Sequence, residues 1–159
     1  MKDSQIWKAL DRILCILMAI CFGSMTLIIF AQVFFRYILK SPLSWSEESA
    51  RYLFVWVSFI GSVVAARRHQ HIGVEMLINK LPDPIQKYVR ILAHLITALF
   101  FGVVSWYTIR MIPKLMAQTT SALKIPMAIP YLGVLIGCVL MTFFYLCEAV
   151  DTAMKGECV

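Results

Sequence analysis

The sequence predicts an all-α integral membrane protein, with four transmembrane helices and a short interfacial amphipathic helix between the second and the third. Three observations carry that reading. The chain is 60% hydrophobic and 15% charged, whereas soluble domains run at about 45–50% apolar and about 25% charged. Four stretches lack charge altogether: Ile13–Phe35, Tyr52–Ala66, Ile91–Ile109 and Ile125–Cys147. Most are long enough for the roughly 20 residues that cross a ~30 Å hydrocarbon core. Charges and most of the prolines gather between these stretches. One compact four-helix membrane domain over 1–159 is expected, with spans near 13–35, 45–66, 87–109 and 128–147 and no separate soluble domain.

The first span follows Lys2, Lys8 and Arg12, as a signal peptide's apolar core would. Its 23 uncharged residues exceed the usual ~7–15-residue core, and no small-x-small cleavage pattern follows. It is expected to remain as the first membrane helix.

Pro42 breaks the chain after it. Ser44 and Glu47 have the spacing of a capping box, in which the Ser caps the helix and the Glu reaches back to its amide. Glu47 and Arg51 stand i, i+4, suited to a surface ion pair. The second helix therefore begins near Trp45 and runs to about Ala66, which brings it to spanning length. Trp45, Glu48, Tyr52, Trp56 and Phe59 share one broad face of it. Trp and Tyr sit by default at membrane interfaces, which accounts for Trp45 and Tyr52 but less well for the deeper Trp56. Another face carries Ser58, Gly61, Ser62 and Ala65, small residues that let helices approach closely.

After Arg67-Arg68-His69-Gln70-His71, residues Val74, Leu77, Ile78 and Leu81 recur at helical spacing, with Glu75, Asn79 and Lys80 off that stripe. This predicts an interfacial helix over 72–81 lying among the lipids. Pro82-Asp83-Pro84 ends it, with Asp83 able to cap the third helix and Pro84 at its first position. The third loop holds Arg110, Lys114 and Lys124, with Pro113, Pro126 and Pro130 expected as breakers. Gly133 and Gly137 form a G-x-x-x-G in the fourth helix, a pattern common by chance and weak by itself.

Net charge is +6, and its placement predicts orientation. The tails and the second loop hold nine Lys and Arg, the first and third loops six. The positive-inside rule then puts both termini in the cytoplasm. These charges flank membrane segments and form no patch for nucleic acid; they suit lipid headgroups.

No cofactor, metal or catalytic constellation is expected. His69 and His71 lie i, i+2 with no third ligand nearby, and His94 alone is too few for a haem. Cys15, Cys21, Cys138, Cys147 and Cys158 include no C-x-x-C pair. Ser58 and Ser62 have no acid–base partner. No Asp, Glu, Lys or Arg lies deep in a span, although ion-coupled carriers need intramembrane ionisable groups or broken helices. The chain reads as a scaffold for something else.

Phe34-Phe35-Arg36-Tyr37, then Pro42, Trp45, Glu48, Tyr52-Leu53 and Trp56, then Gly61, Arg68 and His71, resemble the small membrane subunit (the Q-type small permease) of tripartite ATP-independent periplasmic (TRAP) transporters. The stretch Thr119-Thr120-Ser121-Ala122-Leu123-Lys124-Ile125-Pro126, leading to Tyr131 and Gly137, is similar to the same family. The resemblance runs from about residue 10 to 150, and departs from the family pattern at Ile129-Pro130-Tyr131. It implies a bacterial inner-membrane subunit that braces a large sodium-coupled permease, while a periplasmic binding protein captures an organic acid such as a sialic acid or a dicarboxylate. No substrate-binding residue is carried over. Arg36, Trp45, Glu48 and Trp56 match family positions as structural or interface residues. Arg36 and Glu48, at one membrane level with eleven residues between them, are expected to pair, or Glu48 to meet a cation on the large subunit. The competing readings are a stand-alone homo-oligomeric channel or exporter, and a membrane anchor of an enzyme complex. Transport by the chain alone would favour the first, a haem absorption spectrum the second.

Overall fold

The computed structural model describes residues 5–41, 43–67 and 83–155. The expected interfacial helix with Val74, Leu77, Ile78 and Leu81 lies outside the described residues, as do Arg68, His69, His71 and Cys158. Four long helices make up the rest: α1 (Gln5–Tyr37), α2 (Ser44–Arg67), α3 (Asp83–Met116) and α4 (Ala128–Lys155). Each contains a stretch long and apolar enough to cross a membrane.

The helices overrun the spans read from the sequence. With 34 residues, α3 is about 51 Å long at ~1.5 Å per residue, well beyond a ~30 Å core. Its charged ends, Lys87 and Arg90 at one and Arg110 and Lys114 at the other, therefore belong to the interfaces. Apolar runs report where hydrocarbon begins, whereas backbone hydrogen bonding continues for as long as side chains permit it. Pro113, expected as a breaker, lies inside the last turn of α3. Its missing N–H costs one bond to the Ile109 carbonyl, and the helix ends three residues later. Pro130 sits in the first turn of α4, where its N–H has no helical partner to lose.

The termini of α1 and α2 are closed locally. After α1, the Ser41 N–H reaches back to the Phe35 carbonyl at 3.2 Å, and Lys40 takes a left-handed φ of 51°. At the start of α2 the expected capping box is replaced. Ser46 donates both its hydroxyl, at 2.7 Å, and its N–H, at 3.3 Å, to the Leu43 carbonyl. Glu47 turns forward to Arg51 at 3.5 Å, as its i, i+4 spacing predicts.

The helices do not close into the compact bundle expected. Within the described residues α1 packs on α2, α2 on α4, and α4 on α3, giving an open array in the order α1–α2–α4–α3. The outer helices have one neighbour each, so most of their apolar surface stays uncovered: Leu27, Phe30 and Leu99 are all about 70% exposed. Lipid or a partner can satisfy such a surface. An open array is also permitted because lipid tails are as apolar as side chains and do not drive helices to close up.

The core lies toward the end that carries the chain termini. Leu14 of α1, Ile60, Val63, Val64 and Ala66 of α2, Ala98 of α3, and Met141 and Tyr145 of α4 form it. The Tyr145 ring stacks parallel to Phe101 at 6.5 Å and lies 5.8 Å from the His94 ring.

Candidate functional site

The opposite end holds the most specific polar arrangement. Glu48, in the second turn of α2, aims its carboxylate across to the loop between α3 and α4. One oxygen, Oε2, accepts the N–H groups of Ala122 at 3.1 Å and Leu123 at 3.0 Å. The other, Oε1, accepts the hydroxyl of Tyr52 one turn along at 2.8 Å. Two adjacent backbone donors converging on one oxygen make a small anion cradle, and a carboxylate is its natural occupant.

The loop is built to present those donors. Thr119 and Pro126 form an isolated antiparallel bridge. The Thr120 N–H donates to the Ile125 carbonyl at 2.9 Å, and the Met127 N–H to Gln118 at 2.9 Å. Thr120 is almost fully buried, and its hydroxyl accepts the Ile125 N–H at 3.3 Å. Between them Lys124 adopts a left-handed φ of 53°, costly for a residue with a Cβ. Hydrogen bonds on either side, Leu123 to Glu48 and Ile125 to Thr120, hold it there.

Below the carboxylate the same face of α2 meets α4. A Cβ on Gly133 would stand 2.9 Å from the Trp56 ring, and one on Gly137 would stand 2.7 Å from the Cβ of Phe59. The two glycines are thus seats for two aromatic side chains. This is why Trp56 lies deeper than an interfacial belt residue: it is a packing residue. The G-x-x-x-G pattern, weak as a motif, gains its meaning from the residues opposite.

The remaining candidate residues are dispersed. Trp45 is 43% exposed. Arg36 is exposed at the end of α1, and the expected pair with Glu48 does not form; the carboxylate accepts Tyr52 and the loop amides instead. Direct backbone bonds to a fixed loop need no long side chain ordered across open surface. The small-residue face is split. Gly61 abuts α1, where a Cβ would lie 3.5 Å from the Met18 sulfur, with Ala65 half-buried nearby on α2. Ser58 and Ser62 are exposed, and the Ser62 hydroxyl donates to the Ser58 carbonyl at 2.8 Å.

An ion pair was also missed by sequence reasoning. Arg67 at the end of α2 meets Asp11 near the start of α1 at 3.2 Å, with side chains 14% and 29% exposed. The signal was available: antiparallel neighbours carry opposite charges at the same end of their apolar runs. Among the described residues no group of three or more His, Cys, Asp or Glu could hold a metal ion.

Glu48 and the loop it holds both fall inside one matched region. Residues 25–154 match the family model described as tripartite ATP-independent periplasmic transporters, DctQ component. The chain is 29% identical to a C4-dicarboxylate TRAP transporter small permease protein of Vibrio cholerae, over 90% of this chain and 72% of that one. It is 31% identical to a similarly described protein of Rhodobacter capsulatus, over 72% of this chain and 52% of that one. It is 39% identical to the sialic acid TRAP transporter permease protein of Haemophilus influenzae, over 43% of this chain and only 11% of the longer protein. Such relatives are transporter components and not enzymes, and with the family model matching most of its length the chain belongs to the DctQ-component family of TRAP transporters.

Proposed function

We propose that this chain is the small subunit of a sodium-coupled TRAP transporter in a bacterial inner membrane, bracing a large permease subunit that receives an organic acid from a periplasmic binding protein. The observation that carries the reading is the family match over residues 25–154, which encloses Glu48 and the loop it holds. The names of the relatives, dicarboxylate and sialic acid transporters, support an organic acid as the cargo. The match to a small fraction of a much longer permease protein supports assembly with a large subunit. Spans free of deep charged residues suit a brace better than an ion pathway.

In this reading both termini are cytoplasmic, supported by nine Lys and Arg against six, and the Glu48 end faces the periplasm. Arg36, Trp45, Glu48 and Trp56 serve structure or the subunit interface. The test is reconstitution of this chain with a large permease subunit and a periplasmic binding protein of the same family. Uptake of sialic acid or a C4-dicarboxylate into proteoliposomes should require an inward sodium gradient and all three proteins. Equal uptake without this chain, or uptake by this chain alone, would overturn the proposal.

A further inference from the structure

A groove of about 730 Å³ runs along the outer helix α3 where it diverges from α4. Leu95, Leu99, Val103 and Trp106 of α3 and Thr142 and Leu146 of α4 line it. Gly102 lies at its floor, where a Cβ would sit 3.7 Å from the methyl carbon of Thr142. The Thr142 hydroxyl donates to the Cys138 carbonyl at 2.9 Å, so its polar atom is satisfied on its own helix and its methyl faces the glycine. The floor is therefore apolar, and the flanking Leu99 and Trp106 are 69% and 58% exposed.

Two features fix what fits. From Leu95 to Trp106 the groove extends about 16 Å at ~1.5 Å per residue, close to one leaflet of a ~30 Å hydrocarbon core. A hydrocarbon chain lies lengthwise in an apolar groove of that length, against Gly102 and the Thr142 methyl. At the end nearer the interface, the Arg110 guanidinium sits over the Trp106 ring, 4.8 Å from its centroid. Tryptophan favours the headgroup level, and a planar guanidinium matches phosphate oxygens. Charge and shape thus follow the order of a phospholipid, anionic phosphate first and acyl chain below.

We propose that this groove holds one acyl chain of a membrane phospholipid, with its phosphate bound by Arg110. The phospholipid covers the α3–α4 seam on the outer face of the array and is retained with the protein. The experiment uses the full chain in phosphatidylglycerol nanodiscs, with phospholipid retained per chain counted by native mass spectrometry after release. Gly102→Leu fills the groove from its floor and Val103→Trp from its wall; each should eliminate the retained phospholipid. Arg110→Gln, at an exposed position that does not threaten folding, should lower retention about ten-fold, as expected for one charge-assisted hydrogen bond, with Arg110→Lys partly restoring it. Unchanged phosphatidylglycerol in the Arg110→Gln protein, or in both groove-filling variants, would overturn the proposal. So would efficient crosslinking of Val103→Cys to the large subunit in the assembled transporter, since a protein would then occupy the groove.

Discussion

The two ends of the helix array are held together by different physics. Toward the chain termini, side chains from all four helices meet one another around Ile60, Val63, Met141 and Tyr145, and an ion pair between Asp11 and Arg67 ties α1 to α2. Toward the loops, side chains meet backbone. Trp56 and Phe59 lie against the bare Cα positions of Gly133 and Gly137, and the Glu48 carboxylate is filled by the N–H groups of Ala122 and Leu123. Side-chain cores tolerate exchanges of similar volume. Contacts to backbone tolerate little, because what they need is an absent side chain or an amide at one point. The loop end is thus the more specified of the two, and it holds Trp45, Glu48 and Thr119–Pro126, part of the pattern by which the family was recognised.

The sharpest way to break the loop end is at its glycine seats. Gly137→Leu places a Cβ where the Cβ of Phe59 already stands, 2.7 Å away, and the backbones of α2 and α4 must part. Overpacking costs about 1–3 kcal/mol and occasionally more, and the upper end of that range is expected here. Gly133→Leu should cost slightly less, since the obstacle is the Trp56 indole, a ring that can shift about its own torsions, and not a Cβ fixed to the backbone. Gly23→Ala on α1 is the control: nothing lies within 4 Å of its would-be Cβ, and better helix propensity should stabilise it by up to about 1 kcal/mol. Denaturant titration in detergent reads all three, and equal loss at Gly23 and Gly137 would refute the seat.

Removing the carboxylate tests the second half of the same end. Glu48→Ala leaves the Ala122 and Leu123 amides without their acceptor, and their hydrogen exchange should accelerate about ten- to a hundred-fold, a local opening of the loop. Exchange at the core helix residues around Met141 should not change. Arg36→Ala, alone or added to Glu48→Ala, should leave those amides as they were, since Arg36 takes no part in the cradle; measurable coupling between the two substitutions would restore the pair anticipated from the sequence.

What the sequence revealed and what it hid follow from range. The four helices were legible because hydrocarbon demands long uncharged runs, and the Glu47–Arg51 pair because helical spacing is local. The Glu48 contact was not. Glu48 and Leu123 are separated by 75 residues, and a carboxylate that binds backbone amides leaves no complementary residue type to search for. Both partners were singled out as family-like, Glu48 in one motif and Thr119–Pro126 in another, yet nothing in either names the other. Gly133 and Gly137 were visible as a pattern, but their significance depended on which α2 residues lay opposite. The openness of the array was hidden for a different reason: composition reports that a face is apolar, not whether protein or lipid covers it.

The ion pair at the termini end supplies a smaller effect. Its side chains are 14% and 29% exposed, between a surface pair worth ~0–1 kcal/mol and a buried one whose disruption costs ~3–5 kcal/mol. Asp11→Asn should therefore cost about 1–2 kcal/mol. Exchanging the two residues, Asp11→Arg with Arg67→Asp, should recover part of the loss, and the loop amides should be indifferent to either change. A shift in Ala122 or Leu123 exchange on substituting Asp11 would show that the two ends are coupled and not independently held.

The smallest effect is expected at the residue next to the most specific one. Glu47 and Glu48 are identical in chemistry and adjacent in sequence, but successive residues on a helix point about 100° apart. That turn sends Glu48 to the loop and Glu47 outward to Arg51, where both side chains are 70% exposed at a separation of 3.5 Å. An exposed i, i+4 pair with this geometry stabilises a helix by about 0.3 kcal/mol and less in salt. Glu47→Gln should therefore leave the melting temperature, the exchange of Ala122 and Leu123, and co-purification with the large subunit within error of the parent. Glu48→Gln, which keeps the size and one acceptor oxygen but removes the charge, should loosen the same amides. If the Glu47 variant loosened the loop as much as the Glu48 variant, the general negative charge at the start of α2 would be holding it, and the assignment of the cradle to one carboxylate would fail.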